Sequence, residues 1–349
     1  MKKCKETALA LVFALLCTAL PLSAQNDAPV SDEPGDFLCT TPPFLSPGDT
    51  IALISPAYQT PDTNVVKTAE VLRGWGFTPV IGANVGKLDA GRYGGTLDER
   101  LSDLRWALED PSVKAILCNR GGYGTLHMVE RLSLHELAVN PKWIIGYSDI
   151  TTLLGMEARV GNMSIHGTMS SSLYKGGLDD SSTILRQLLS GWVPRYDLPA
   201  HPCNIQGRAT GVLVGGNLCT FVPVLGTEAD ALSSEGIILF VEEVEESMHN
   251  IDRLFNVLRL NGVLDRCRGI ILGEFTNCGS EFDYASVEAM LKPMLEPYGI
   301  PVMCGFPAGH GEINLPLVMG APVTMEVRRF GATLRFEIPS GKEYPVDTR

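Results

Sequence analysis

Positive charge is scarce in this 349-residue chain: 28 Lys and Arg stand against 40 Asp and Glu, a formal net charge of −12. A nucleic-acid binder carries the opposite electrostatic footprint, so that class is disfavoured. No CxxC pair occurs among the nine cysteines. Cys118, Cys219 and Cys304 lie in apolar runs, where cysteine behaves as a small hydrophobe. An oxidising compartment would permit a disulfide, but the spacing demands none. HExxH is missing and the histidines are scattered, so no metal or other cofactor is called for. Internal repeats and low-complexity blocks are absent as well. No apolar run reaches the about 20 residues of a membrane span.

What is present reads as a soluble, globular chain, with 45% hydrophobic and 19% charged residues. Its length is sufficient for two domains, each with a core. Residues 1–24 read as a signal peptide: Lys2, Lys3 and Lys5 precede an apolar run from Ala8 to Leu22, and Ser23-Ala24 supplies small residues for cleavage. Periplasmic or secreted location follows, with no membrane span once the signal is removed. A lipid anchor at Cys17 fits less well, because Leu16 before it is not small. Residues 25–43 are a polar lead-in.

From Asp49 onward, short apolar runs alternate with amphipathic ones. Asp49–Ser55, Pro79–Ile81, Val113–Cys118 and Trp143–Gly146 read as strands. Asn64–Trp75, Leu97–Leu108 and a short piece around Leu126–Leu132 read as helices. This alternation predicts parallel pairing with right-handed crossovers. The class is therefore α/β, with an open parallel-sheet, Rossmann/flavodoxin-like domain over residues 44–192. Residues 193–207 hold prolines without periodicity and read as a linker. Residues 208–349 form a second, β-rich α+β domain. Its expected strands are Val212–Val214, Ile237–Val241, Ile270–Leu272 and Val302–Phe306. Helices Ile251–Leu260 and Tyr284–Leu295 are expected, with a hairpin near the end at Val323–Val327 and Ala332–Ile338.

Open α/β sheets bind at the carboxyl ends of their strands. Ser148 stands there, between Gly146-Tyr147 and Asp149, where a strand breaks into a helix. Such a serine is either an ordinary helix N-cap or a nucleophile beside helix-terminal amides. Arg120-Gly-Gly-Tyr-Gly124 ends the neighbouring strand. It is either a tight turn, a phosphate loop without the P-loop Lys-Ser/Thr, or a source of amide donors to an oxyanion.

A serine nucleophile needs a base, and that base needs a carboxylate to fix its tautomer. His310 is flanked by Gly309 and Gly311 in a loop after a strand, and Glu242 ends the strand Ile237–Val241. The candidates are thus Ser148, His310 and Glu242. The amides of Gly122 and Asp149 are the candidate oxyanion donors. The elbow departs from G-x-S-x-G, because Ile150 replaces the second glycine.

Five motifs, in order, carry a resemblance: Gly48–Pro56, Arg120–Gly124, Gly146–Thr151, Leu239–Glu243 with Ile251-Asp-Arg253, and Gly309-His310 with Asn314-Leu-Pro316. Together they resemble the LD-carboxypeptidase family of serine peptidases, which includes microcin-immunity hydrolases. The resemblance implies Ser148 as nucleophile, His310 as base and Glu242 as orienting acid, with Glu243 as runner-up for the acid, shared between two domains. It implies a homodimer, no metal, and a muropeptide substrate cut at its terminal D-Ala. An immunity-type hydrolase of peptidyl-nucleotide amides and a non-catalytic muropeptide binder are the alternatives.

Overall fold

The computed structural model of the chain describes residues 39–279 and 282–348. The expected signal peptide, Cys17 and most of the lead-in lie outside these residues. The first half contains β1 (Thr50–Ile54), β2 (Thr78–Ile81), β3 (Val113–Cys118), β4 (Trp143–Gly146) and β5 (Ser164–His166). Next come β6 (Trp192–Pro199), β7 (Gly207–Asn217), β8 (Ile237–Val244) and β9 (Cys267–Thr276). The last are β10 (Val302–Cys304), β11 (Leu317–Met319), β12 (Pro322–Arg328), β13 (Gly331–Phe336) and β14 (Lys342–Asp347).

These strands make two sheets, ordered β11-β5-β4-β3-β1-β2 and β10-β9-β8-β7-β12-β13-β6-β14. In the first sheet β1 to β5 pair in parallel, and only β11 is antiparallel. Every residue of β4 is buried, as expected where helices cover both faces of a parallel sheet. The expected α/β architecture with a second, strand-rich lobe is what the chain adopts.

Helix Leu97–Glu109 begins where the sequence says it should. Thr96 and Glu99 form a reciprocal capping box, and Leu101, Leu104 and Leu108 face inward. Helix Asp62–Gly74 buries Val65, Ala69 and Leu72. The piece expected as a helix around Leu126–Leu132 is instead a 3-10 turn, Thr125–Met128, followed by helix Leu134–Ala138. A second capping box, Ser133 with Glu136, restarts the chain there.

The expected linker, 193–207, also needs correction. Its first part is β6, paired with both β13 and β14. Val193, Tyr196 and Leu198 point inward while Arg195 and Asp197 are half-exposed, an alternation hidden by Pro194 and Pro199.

The two sheets are fastened together. β11 comes from the second half of the chain yet pairs with β5 in the first sheet, with Leu317 opposite His166. One apolar cluster runs from Ile51 and Ile145 through Phe240 and Ile271 to Leu334. Tyr196 Oη donates to the Pro316 carbonyl at 2.7 Å, tying the second sheet to the loop that leads into β11. The rims of both sheets can therefore hold one site in register.

Candidate active site

Ser148 follows β4 with a backbone φ of +61°, a left-handed value that costs a non-glycine residue about 1–2 kcal/mol. Its neighbours hold it there. A Cβ on Gly146 would stand 2.8 Å from Ile150 Cγ2, so the branched Ile150 packs onto the bare Gly146 backbone. A Cβ on Gly121 would stand 2.8 Å from Ser148 Cβ and 3.0 Å from Ser148 Oγ. Asp149 is buried and anchored: its carboxylate accepts from the Thr125 amide at 2.9 Å, and its carbonyl accepts from Thr125 Oγ1 at 2.6 Å. The missing second glycine of the elbow is thus compensated by Gly146 and Gly121 on either side of the serine.

The glycine loop is fixed from behind. Buried Arg100 donates from Nη1 to the carbonyls of Pro56 at 2.7 Å and Gly124 at 3.0 Å. Asn119 donates to Ser55 Oγ at 3.0 Å and accepts from Ser170 Oγ at 2.7 Å. Gly122 has φ +111°, and a Cβ on it would lie 2.2 Å from the Tyr58 ring, so only glycine fits. Among the described residues, neither the Gly122 nor the Asp149 amide has a hydrogen-bond acceptor. Two N–H groups beside a strained serine are therefore available to a developing negative charge.

The second sheet supplies a histidine and a carboxylate. His310 Nδ1 lies 2.7 Å from Glu242 Oε2; the carboxylate is fully buried and the imidazole side chain is 17% exposed. A Cβ on Gly309 would come within 2.9 Å of Glu242 Oε2, so this glycine lets the loop close over the acid. Burial pulls the His310 pKa down, but the hydrogen bond to Glu242 and its charge outweigh that, leaving it raised above 6.5. Burial raises the Glu242 pKa, against the opposing pull of His310. An ionised Glu242 makes Nδ1 the donor and leaves Nε2 open to accept a proton.

Glu243, the runner-up acid, turns elsewhere. It accepts from Asn217 Nδ2 at 2.9 Å and the Cys219 amide at 2.8 Å. A register shift in the β8–β9 pairing lies between Val241 and Glu243.

The Tyr147 ring stands between the two rims, 5.0 Å from the His310 ring centroid. Among the described residues, no hydrogen bond joins Ser148 to His310.

Two residues outside the expected triad and oxyanion donors support the His310 loop. His166, fully buried at the end of β5, has Nε2 3.2 Å from Asn314 Oδ1, and the same oxygen accepts from the Gly309 amide at 3.0 Å. Burial, then the nearby His310, pushes the His166 pKa down to about 3, so it stays neutral and donates from Nε2. Asn314 lies within a quoted motif. His166 lies in a three-residue strand with no periodic signal of its own.

Strand-end serine, unoccupied amides, and a carboxylate-bound histidine on a facing lobe define the class of a two-lobed serine hydrolase. Two family models divide the chain: the LD-carboxypeptidase N-terminal domain matches residues 51–167, and the LD-carboxypeptidase C-terminal domain matches residues 210–325. The chain belongs to the LD-carboxypeptidase family of serine peptidases. It is 32% identical to the Bacillus subtilis "Probable murein peptide carboxypeptidase" over 86% of this chain and 96% of that protein. It is 30% identical to the Escherichia coli microcin C7 self-immunity protein MccF over 81% of this chain and 92% of that one. Among solved structures, the muramoyltetrapeptide carboxypeptidase of Oxalobacter formigenes superposes with a TM-score of 0.75 at 25% identity. That match covers 85% of this chain and all of the other.

Proposed function

We propose that the protein is an exported, metal-independent carboxypeptidase that removes terminal D-Ala from murein tetrapeptides. Ser148 Oγ attacks the carbonyl before D-Ala while His310 Nε2 takes its proton. The Gly122 and Asp149 amides hold the oxyanion. Collapse of the tetrahedral intermediate breaks the C–N bond, and the leaving amine takes the proton from His310. Water then enters, His310 accepts its proton in turn, and the acyl-serine ester is hydrolysed. Glu242 holds the tautomer and balances the imidazolium.

The observation that carries this reading is the 2.7 Å contact between His310 Nδ1 and Glu242 Oε2, on the lobe facing a serine with φ +61°. Export rests on residues 1–24, and the protein is proposed to act as a homodimer. The self-immunity relative keeps a second substrate in view, a peptidyl-nucleotide amide. Purified protein is to be offered a murein tetrapeptide, with and without chelator, beside such an amide. Release of D-Ala that is indifferent to chelator is expected. Cleavage of the nucleotide amide alone, or release abolished by chelator, contradicts the reading.

A further inference from the structure

We propose that Arg92 and Arg120 form the subsite that reads the substrate's terminal carboxylate and so confines cleavage to the last peptide bond. This rests on the carboxypeptidase reading above. Both guanidinium groups lie over one aromatic ring, Tyr58, at 5.7 Å for Arg92 and 6.0 Å for Arg120. Both side chains are exposed, and neither is in an ion pair among the described residues. In a chain of net charge −12, two unpaired arginines on one ring at a site rim are unusual. A guanidinium stacked on a ring keeps its edge N–H groups free for a carboxylate.

The backbone brings the three residues together. The Tyr58 amide donates to the Gly121 carbonyl at 3.3 Å, and the Gln59 amide to the Arg92 carbonyl at 2.8 Å. Tyr58 also forms an isolated antiparallel bridge with Tyr93. Its ring packs on Gly122, one of the expected oxyanion donors, and Gly121, next to Arg120, is the glycine pressed against Ser148.

Distance and charge agree with this role. In a substrate ending one residue past the scissile bond, the carboxylate carbon lies about one residue spacing, ~3.8 Å, from the reacting carbonyl. Arg120 directly precedes Gly121, where a Cβ would stand 2.8 Å from Ser148 Cβ. The opposite rim is acidic: Glu242 and Glu312 act on Glu274, whose pKa is raised by burial and then by these charges. A peptide carboxylate is repelled there and attracted to Arg92 and Arg120, which sets the direction in which the chain lies.

The test compares a tetrapeptide with its C-terminal amide. Binding is measured by calorimetry on Ser148→Ala protein, with and without Arg92→Gln and Arg120→Gln, while melting temperatures check the fold. The parent is expected to prefer the acid on the order of 10- to 100-fold, the range for hydrogen bonds to charged groups. Without the arginines that preference should shrink to below about threefold, and Arg120→Lys should fall between, since lysine cannot make a fork. Equal binding of acid and amide by the parent, or a preference that survives both substitutions, overturns the subsite. D-Ala release by unsubstituted enzyme separates the two readings. Cleavage without acid preference sinks the subsite alone. An arginine-dependent preference without cleavage sinks the carboxypeptidase reading alone.

Discussion

The two rims of the site are built in opposite ways. On the first sheet, the serine's surroundings come mostly from nearby chain: Gly146, Ile150 and Asp149 lie within two residues of it, and Gly121 and Thr125 come from the adjacent strand end. On the second sheet, His310 is held by groups far away in sequence. Glu242 is 68 residues distant, and Asn314 is fixed by His166 from 148 residues away. The first rim holds a strained backbone, while the second buries the carboxylate that partners the histidine. A strained turn is stable only where neighbouring atoms block its relaxation. A buried carboxylate is tolerated only where a partner offsets its desolvation. Each rim therefore carries a cost, and the proposed reaction draws on both.

Substitutions can separate the rims, and the largest effect belongs to the nucleophile. Ser148→Ala should lower kcat by about 10⁴- to 10⁶-fold, the range seen when a nucleophile of this type is removed. Steady-state D-Ala release measures it, and a loss below tenfold would mean that the serine is only a cap.

Glu242→Gln should cost roughly 10³- to 10⁴-fold, because the amide no longer favours the productive tautomer. The pH profile carries the sign. His310 must be neutral to accept a proton, and its pKa is raised above 6.5. The acid limb of kcat/KM should therefore have its midpoint above pH 6.5 and move down in Glu242→Gln, where only the more distant charges of Glu243 and Glu245 still oppose burial. By the same linkage, the His310–Glu242 contact adds stability below pH 6.5 and loses it as pH rises through the folded pKa. A limb unmoved by the substitution would detach Glu242 from His310.

Asn314→Ala removes the acceptor shared by His166 and Gly309, and a drop of about 10- to 100-fold is expected from a misplaced base. The loss should appear in kcat rather than KM, since Asn314 touches the loop and not the peptide. The smallest effect is thermodynamic. Ser148→Gly relieves the positive φ, worth about 1–2 kcal/mol, against an unfolded-state entropy penalty of roughly 0.4–1 kcal/mol. Urea unfolding should show a gain between zero and about 1.6 kcal/mol at unchanged slope. A net loss would mean that the elbow is not strained.

The same contrast explains what was legible in the sequence. β1, β3 and β4 are short, mainly apolar runs closed by Pro56, Asn119 and Gly146, so strand and site position could be read together. β5 and β11 have three residues each, too few to show any periodicity. Their pairing, which joins the lobes, exists only through tertiary contact. β6 alternates properly, but Pro194 and Pro199 disguised it as a linker. Helix Asp180–Leu189 has no counterpart among the expected elements, although Asp179 caps it and Ile184, Leu185, Leu188 and Leu189 are buried. Ser148, Glu242 and His310 stood out because each ends a readable strand or sits between glycines. His166 did not, because nothing local announces a histidine whose partner lies on the other rim.

The central claim is that the two rims act as one relay, with His310 on the second lobe activating Ser148 on the first. The most direct measurement is the rate and position of phosphonylation by a serine-directed fluorophosphonate, mapped by mass spectrometry. One label per chain is expected, on Ser148, slowed in Glu242→Gln and nearly abolished in His310→Ala. Labelling of Ser148 at an unchanged rate without His310, or labelling of another serine, would contradict it.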